Sequence, residues 1–173
     1  MSHLLTRALA IAAAASGLCA GSALAETEPT LLGKSKEWRA YVIGEGSAKT
    51  CFAYSEPVKE EGEYTRRGKV SVTVSHRPAD KVKNEVSFVA GYEFKPDSQV
   101  DVNIDGKKFN LFVDGGAAWT PDAKTDAQMR DALASGAKMI VRGRSARGTP
   151  TTDTYSLSGS TAALELIDKA CGI

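Results

Sequence analysis

Histidine is almost missing from this chain. Two of its 173 residues are histidine, and one of them falls in an N-terminal stretch that reads as a leader. That leaves His76 alone, too little for a His-rich metal centre. Excess charge is missing as well. The 22 basic and 21 acidic residues give a formal net charge of +1. Such a balance argues against nucleic-acid binding driven by surplus Lys and Arg, and against adhesion to a membrane through a polybasic surface. There is no zincin motif, phosphate-binding glycine loop or nucleophile elbow. There is no Cys-x-x-Cys pair, no internal repeat and no low-complexity tract. The one long apolar run, "ALAIAAAASGLCAGSALA" at residues 8–25, is too short and too rich in Ala and Gly for a membrane span. No cofactor and no metal are therefore expected.

That apolar run has the grammar of an export signal. Arg7 supplies a positive start, and Ala23-Leu24-Ala25 has the form read by signal peptidase, placing the cut between Ala25 and Glu26. Lipidation at Cys19 is disfavoured, because Ser16 and Leu18 stand where an apolar and a small residue are wanted. No Arg-Arg pair marks the twin-arginine route. The expected location is periplasmic or secreted. Residues 26–35, "ETEPTLLGKS", read as a linker, and residues 36–173 as a single domain. Removal of the leader takes one base and no acid, so the two signs become equal.

Two cysteines then remain, Cys51 and Cys171. In an oxidising compartment an isolated pair usually bonds. A bridge closing a loop of about 120 residues is worth roughly 4–5 kcal/mol in the chain-entropy model. Two buried free thiols are the alternative.

The rest of the chain is dominated by period two. Trp38, Ala40 and Val42 share a face, as do Val70, Val72 and Val74, and then Val86, Phe88, Ala90, Tyr92 and Phe94. In "VDVNIDGKKFNLFV", residues 100–113, Asp105-Gly106 forms a type I′ turn that sets Ile104 opposite Lys107, Val102 opposite Phe109 and Val100 opposite Leu111. A helix is expected from a capping box at Thr125–Gln128 to a stop at Gly136. A second spans about 162–170, with Leu164, Ile167 and Cys171 inward and Glu165, Asp168 and Lys169 outward. Eight or so short strands suggest a β-sandwich or a small barrel.

Few residues point to chemistry. A Ser-His-Asp site would have to use His76, which is better read as a structural or surface residue at a strand end. Paired acids of the glycosidase type are not singled out by any motif, and Asp153 reads as a strand-entry residue. Trp38 reads as core; Trp119 either plugs one end of the sandwich or stands exposed as a contact anchor. The charged stretch "EPVKEEGEYTRRGK", residues 56–69, reads as a solvated loop, with a partner-binding tip as the alternative. Arg142, Arg144 and Arg147 lie close together in "RGRSAR". They are either the wet face of two antiparallel strands and their loop, or a cluster that grips an acidic partner or phosphate.

"MIVRGRSARGTPTTDTYSLSGSTAALELIDKAC", with "GYEFKPDSQVDVNIDGKKFNL" and "AAWTPD" upstream, resembles the invasion associated locus B family of alphaproteobacterial secreted or periplasmic proteins. The similarity runs from about Trp38 to Cys171. It departs from the family pattern at Ser160, where an aromatic residue is common, and in "WRAYVIG", where many members have a cysteine. The resemblance implies an immunoglobulin-like β-sandwich and a link to host-cell entry in pathogenic members, and it supplies no catalytic residues. The expectation is a non-enzymatic, exported envelope protein acting through contact with an unknown protein in the envelope or on a host cell, with its oligomeric state open. The alternatives are a periplasmic hydrolase using His76 or paired acids, and a small-ligand carrier with an apolar chamber between its sheets.

Overall fold

The computed structural model describes residues 28–173. The expected leader, its cut at Ala25 and the first two linker residues lie outside them.

The alternating segments form eleven strands: β1 (Thr30–Ser35), β2 (Trp38–Ile43), β3 (Thr50–Ser55), β4 (Lys59–Gly62), β5 (Ser71–Arg77), β6 (Val82–Val89), β7 (Gln99–Ile104), β8 (Lys107–Asp114), β9 (Ala117–Trp119), β10 (Lys138–Arg144) and β11 (Pro150–Ser156). They make one antiparallel sheet in the order β1-β2-β3-β5-β6-β9-β8-β7-β10-β11-β4. One face is apolar along its length, from Trp38 and Ala53 through Val74, Phe88 and Leu111 to Met139 and Tyr155, all buried. The sheet folds over so that this face encloses the core. The Trp38 indole on β2 donates to the Ser156 carbonyl of β11 at 3.0 Å. The Phe88 ring of β6 meets Tyr155 of β11 edge to face, with centroids 6.1 Å apart. Strands distant in the sheet order thus touch across the interior, which makes the expected sandwich out of one continuous sheet.

The 100–113 hairpin has the register read from its turn, with Ile104↔Lys107, Val102↔Phe109 and Val100↔Leu111. Asp105 (φ 46°) and Gly106 (φ 97°) supply the positive φ values a type I′ turn needs. The linker expectation fails over its second half, because Thr30–Ser35 pair with β2 as an edge strand. An edge strand needs few apolar residues, and Leu32 alone of this segment packs against the core. Trp119 does not plug the sandwich. Its neighbour Ala118 points inward, and Trp119 stands half-buried on the outer face opposite Phe112 and Ser87.

Two helices fill one end. Helix α1 (Ala123–Ser135) starts ahead of the expected capping box: Asp122 is the N-cap, its carboxylate accepting from the Thr125 amide at 2.7 Å. Asp126, in the first turn, is buried. It accepts from the Val86 amide at 2.9 Å and from the Thr120 hydroxyl, which pins α1 to β6. Helix α2 (Ser160–Cys171) buries Ala163, Leu164, Ile167 and Cys171, and its Ser160 hydroxyl donates to the Leu133 carbonyl of α1 at 2.7 Å. Cys171 is disulfide-bonded to Cys51 of β3, fastening the last helix to an early strand. Among the described residues no helix is long and apolar enough to cross a membrane.

The entry to α2 is the tightest backbone approach. Gly159 has φ 94°, and a Cβ there would lie 2.0 Å from the Ser35 carbonyl oxygen of β1. Gly106 has a similar φ of 97° with nothing within 4 Å of a Cβ. Gly106→Ala should therefore cost only the left-handed backbone penalty, about 1–2 kcal/mol. Gly159→Ala should cost clearly more, because β1 must move. Urea unfolding of the two variants checks this, and equal losses would show that β1 yields freely.

Candidate functional site

The stretch read as a solvated loop carries the most heavily bonded charge described in the molecule. Arg67 donates through both terminal nitrogens to Asp153 of β11, at 2.6 Å to Oδ1 and 2.7 Å to Oδ2. Its Nε donates to the Ala90 carbonyl at 2.7 Å. The two side chains are 3% and 6% exposed. Burial alone would drive the Arg67 pKa down, but the hydrogen bonds and charge of Asp153 outweigh it and hold it above its ordinary value. Asp153 is thus an inward-facing residue of β11, flanked by buried Thr151 and Tyr155, and not a strand-entry residue. Of residues 56–69, Lys59–Gly62 form β4, paired with β11, and only the remainder is loop.

Two tyrosines lie over this guanidinium, the Tyr64 centroid at 5.3 Å and the Tyr92 centroid at 5.1 Å. Tyr92 is held further by a 2.6 Å hydrogen bond between its hydroxyl and that of Thr151, and by an edge-on contact with Phe94 at 5.3 Å. Burial raises the Tyr92 pKa, so the hydroxyl stays neutral. Gly143 of β10 leaves room for both rings, since a Cβ there would come within 2.7 Å of Phe94 and 2.9 Å of the Tyr92 hydroxyl.

Above this base lies an open groove of about 630 Å³. One wall is Glu63 to Arg66, the other is the β10–β11 loop with Ser145, Ala146, Arg147 and Thr149, and Glu93 borders it. A second hollow of about 460 Å³ shares Glu63, Arg147 and Thr149 with it and continues past Gly148 and Pro150. The loop is closed by its own hydrogen bonds: Ser145 N–H to the Thr149 carbonyl at 2.9 Å and Gly148 N–H to the Ser145 carbonyl at 2.7 Å. The Arg144 guanidinium donates to the Gly148 carbonyl at 2.7 Å.

The three arginines singled out from sequence are divided by this arrangement. Arg144 ends β10 at the foot of the loop, and Arg147 lies within it. Arg142 stands on the outer sheet face opposite Asp101 and Thr152, beside a separate hollow of about 260 Å³ with Asn103 and Lys108. All three are exposed. Arg66, Tyr64 and Tyr92 were missed as site residues. The only sequence signal was an Arg-Arg pair with a tyrosine inside a run of mixed charge.

His76 ends buried in the opposite end of β5, 0% exposed. The Asn84 amide donates to its Nδ1 at 3.0 Å, which places the proton on Nε2, and Nε2 donates to Asp168 Oδ1 at 2.9 Å. Asp168 in turn accepts from Arg130 of α1. Helix periodicity put Asp168 on the wet face; this network turns it inward. His76 therefore has the carboxylate a catalytic dyad would need, but it lines none of the cavities described above and both ring nitrogens are occupied. The cavity between Phe88, Val141 and Tyr155 in the core measures about 10 Å³, room for about one water at most, so no ligand chamber opens there. Among the described residues no cluster of three or more His, Cys, Asp or Glu side chains could hold a metal ion.

A family model described as Invasion associated locus B (IalB) protein matches residues 38–168. Among solved structures, the crystal structure of invasion associated protein B from Bartonella henselae is 17% identical to this chain, covering 82% of it and 98% of that chain, with a TM-score of 0.55. At this identity the likeness establishes the fold. No curated protein matches the chain.

The His76 network sets a pH dependence. Burial lowers the His76 pKa, outweighing the opposing pull of Asp168, with Arg130 and Lys83 adding to the fall. The unfolded chain takes up its proton near pH 6.5 while the folded chain resists, so this contribution is complete above that pH and shrinks as pH falls below it. His76→Gln should cost roughly 1–3 kcal/mol at pH 7, through the unpaired Asn84 amide and Asp168, and less at pH 5. A cost that grows toward pH 5 would mean that the imidazolium is the favoured form.

Proposed function

Since this chain belongs to the invasion associated locus B family, we propose that it is an exported envelope protein that works by protein contact and not by catalysis. The observation that carries the reading is the Ser145–Thr149 loop, a self-bonded, exposed turn that presents Arg144 and Arg147 at one end of a filled sandwich. The Cys51–Cys171 bridge fits folding in an oxidising compartment and supports export through the apolar N-terminal segment. The absence of catalysis is argued from His76, whose two nitrogens are committed to Asn84 and Asp168. The Bartonella henselae protein carries invasion in its name; for the present chain a part in cell entry belongs to this proposal.

Exposed guanidiniums on a rigid turn suit bidentate recognition of carboxylates. Crosslinking and capture from intact cell envelope tests the placement. Arg147→Glu should reduce capture of the crosslinked partner at least about fivefold and leave the thermal midpoint unchanged. Arg142→Glu, on the outer sheet face, should leave capture intact. Equal capture by the Arg147 variant and the parent chain would remove the loop from the contact.

A further inference from the structure

The groove at the base of the loop has a chemistry of its own, although it shares Arg147 with the charge-driven contact at the loop's tip. Its polar lining is balanced: Glu63 and Glu93 offer acceptors, Arg66 and Arg147 offer donors. Among the described residues none of these four side chains is engaged in a salt bridge or a hydrogen bond with another. A ligand of either charge would meet two groups of its own sign there. A neutral ligand whose groups both donate and accept would satisfy all four, and hydroxyls are such groups.

The two tyrosines supply the complementary part. A sugar ring has a polar rim and an apolar C–H face, and aromatic side chains pack against that face with their apolar bodies. Tyr64 is 37% exposed, and Tyr92 is fixed by Arg67, Thr151 and Phe94. Rings already held in place lose little freedom when a ligand arrives. The volume of about 630 Å³ is within the range of small-molecule sites. The adjoining hollow of about 460 Å³ extends the groove beyond one ring, and both are open to solvent along their length. We infer that this groove binds a short neutral oligosaccharide, its ring faces on Tyr64 and Tyr92 and its hydroxyls shared among Glu63, Glu93, Arg66 and Arg147.

Titration of the purified chain, followed by NMR of the tyrosine rings, tests the inference with three probes. They are tri-N-acetylchitotriose, whose N-acetylglucosamine units occur in cell-wall glycans, N-acetyllactosamine, a unit of cell-surface glycans, and hexaglutamate. One of the two sugars should shift the Tyr64 and Tyr92 signals saturably, and which one does identifies the glycan source. Its affinity should be the same at low and high salt, as expected of an uncharged ligand. It should weaken at least about tenfold, or 1.4 kcal/mol, in Glu93→Gln, an isosteric change at an exposed side chain, and also in Tyr64→Ala. Glu93→Gln, which is not part of the loop contact, should capture the crosslinked partner as the parent chain does, which separates this site from the loop contact. No shift with either sugar, undiminished binding by Glu93→Gln, or salt-sensitive binding of hexaglutamate at these tyrosines would each overturn it.

Discussion

The buried pair Arg67–Asp153 is the constraint on which the functional end of this molecule depends. Two charges out of water are tolerated only when nearly every donor and acceptor is used. Here Asp153 takes two bonds and the Ala90 carbonyl a third. The consequence reaches past the pair. Arg67 belongs to the connection after β4, Ala90 follows β6, and Asp153 lies in β11. One side chain therefore joins the β5–β6 half of the sheet to the β11–β4 half where no backbone ladder runs between them. The guanidinium is also the surface on which Tyr64 and Tyr92 rest. Groove, aromatic base and the wall from Glu63 to Arg66 follow from that placement.

The other end of the sandwich is held by different means. Cys51 and His76 are cross-strand partners; the first is bonded to Cys171, the second to Asp168, and Asp168 to Arg130. Both helices are thus tied to β3 and β5 at one node. β5 and β6 run from this node to Arg67 and Ala90, so the two anchors sit at opposite ends of the same pair of strands. The closed end is covered by helices and carries the covalent tie. The open end carries exposed arginines, glutamates and tyrosines. Such a division suits a binding module, whose contact residues stand on loops positioned by a rigid scaffold.

What was legible in the sequence is what local chemistry decides. The Asp105-Gly106 turn and its flanking alternation fix one register, and the hairpin has it. The periodicity of Leu164, Ile167 and Cys171 places the cysteine inward, where Cys51 meets it. What was hidden depends on partners remote in the chain. Asp153 and Arg67 are 86 positions apart, and a run as mixed in sign as 56–69 gives no sign that one of its arginines is desolvated. Asp168 has a polar residue's place on the helical wheel, yet its inward turn depends on His76, 92 positions away. The 26–35 segment reads as linker because an edge strand shows half a hydrophobic pattern. The arginine cluster looked single in sequence because alternation along β10 does not reveal that Arg142 ends opposite Asp101 while Arg147 leaves the strand.

The central claim is that Arg67–Asp153 is a desolvated structural pair and not one more surface contact. Chemical unfolding of Asp153→Ala beside the double variant Arg67→Met/Asp153→Ala measures it directly. Removing Asp153 alone leaves the buried guanidinium with only the exposed Glu60 carboxylate, at 3.4 Å, as a counter-charge and should cost about 3–5 kcal/mol, while removing both charges should recover a large part of that loss. A loss below about 1 kcal/mol for Asp153→Ala, the value of an exposed ion pair, or a double variant no more stable than the single one, would contradict the account.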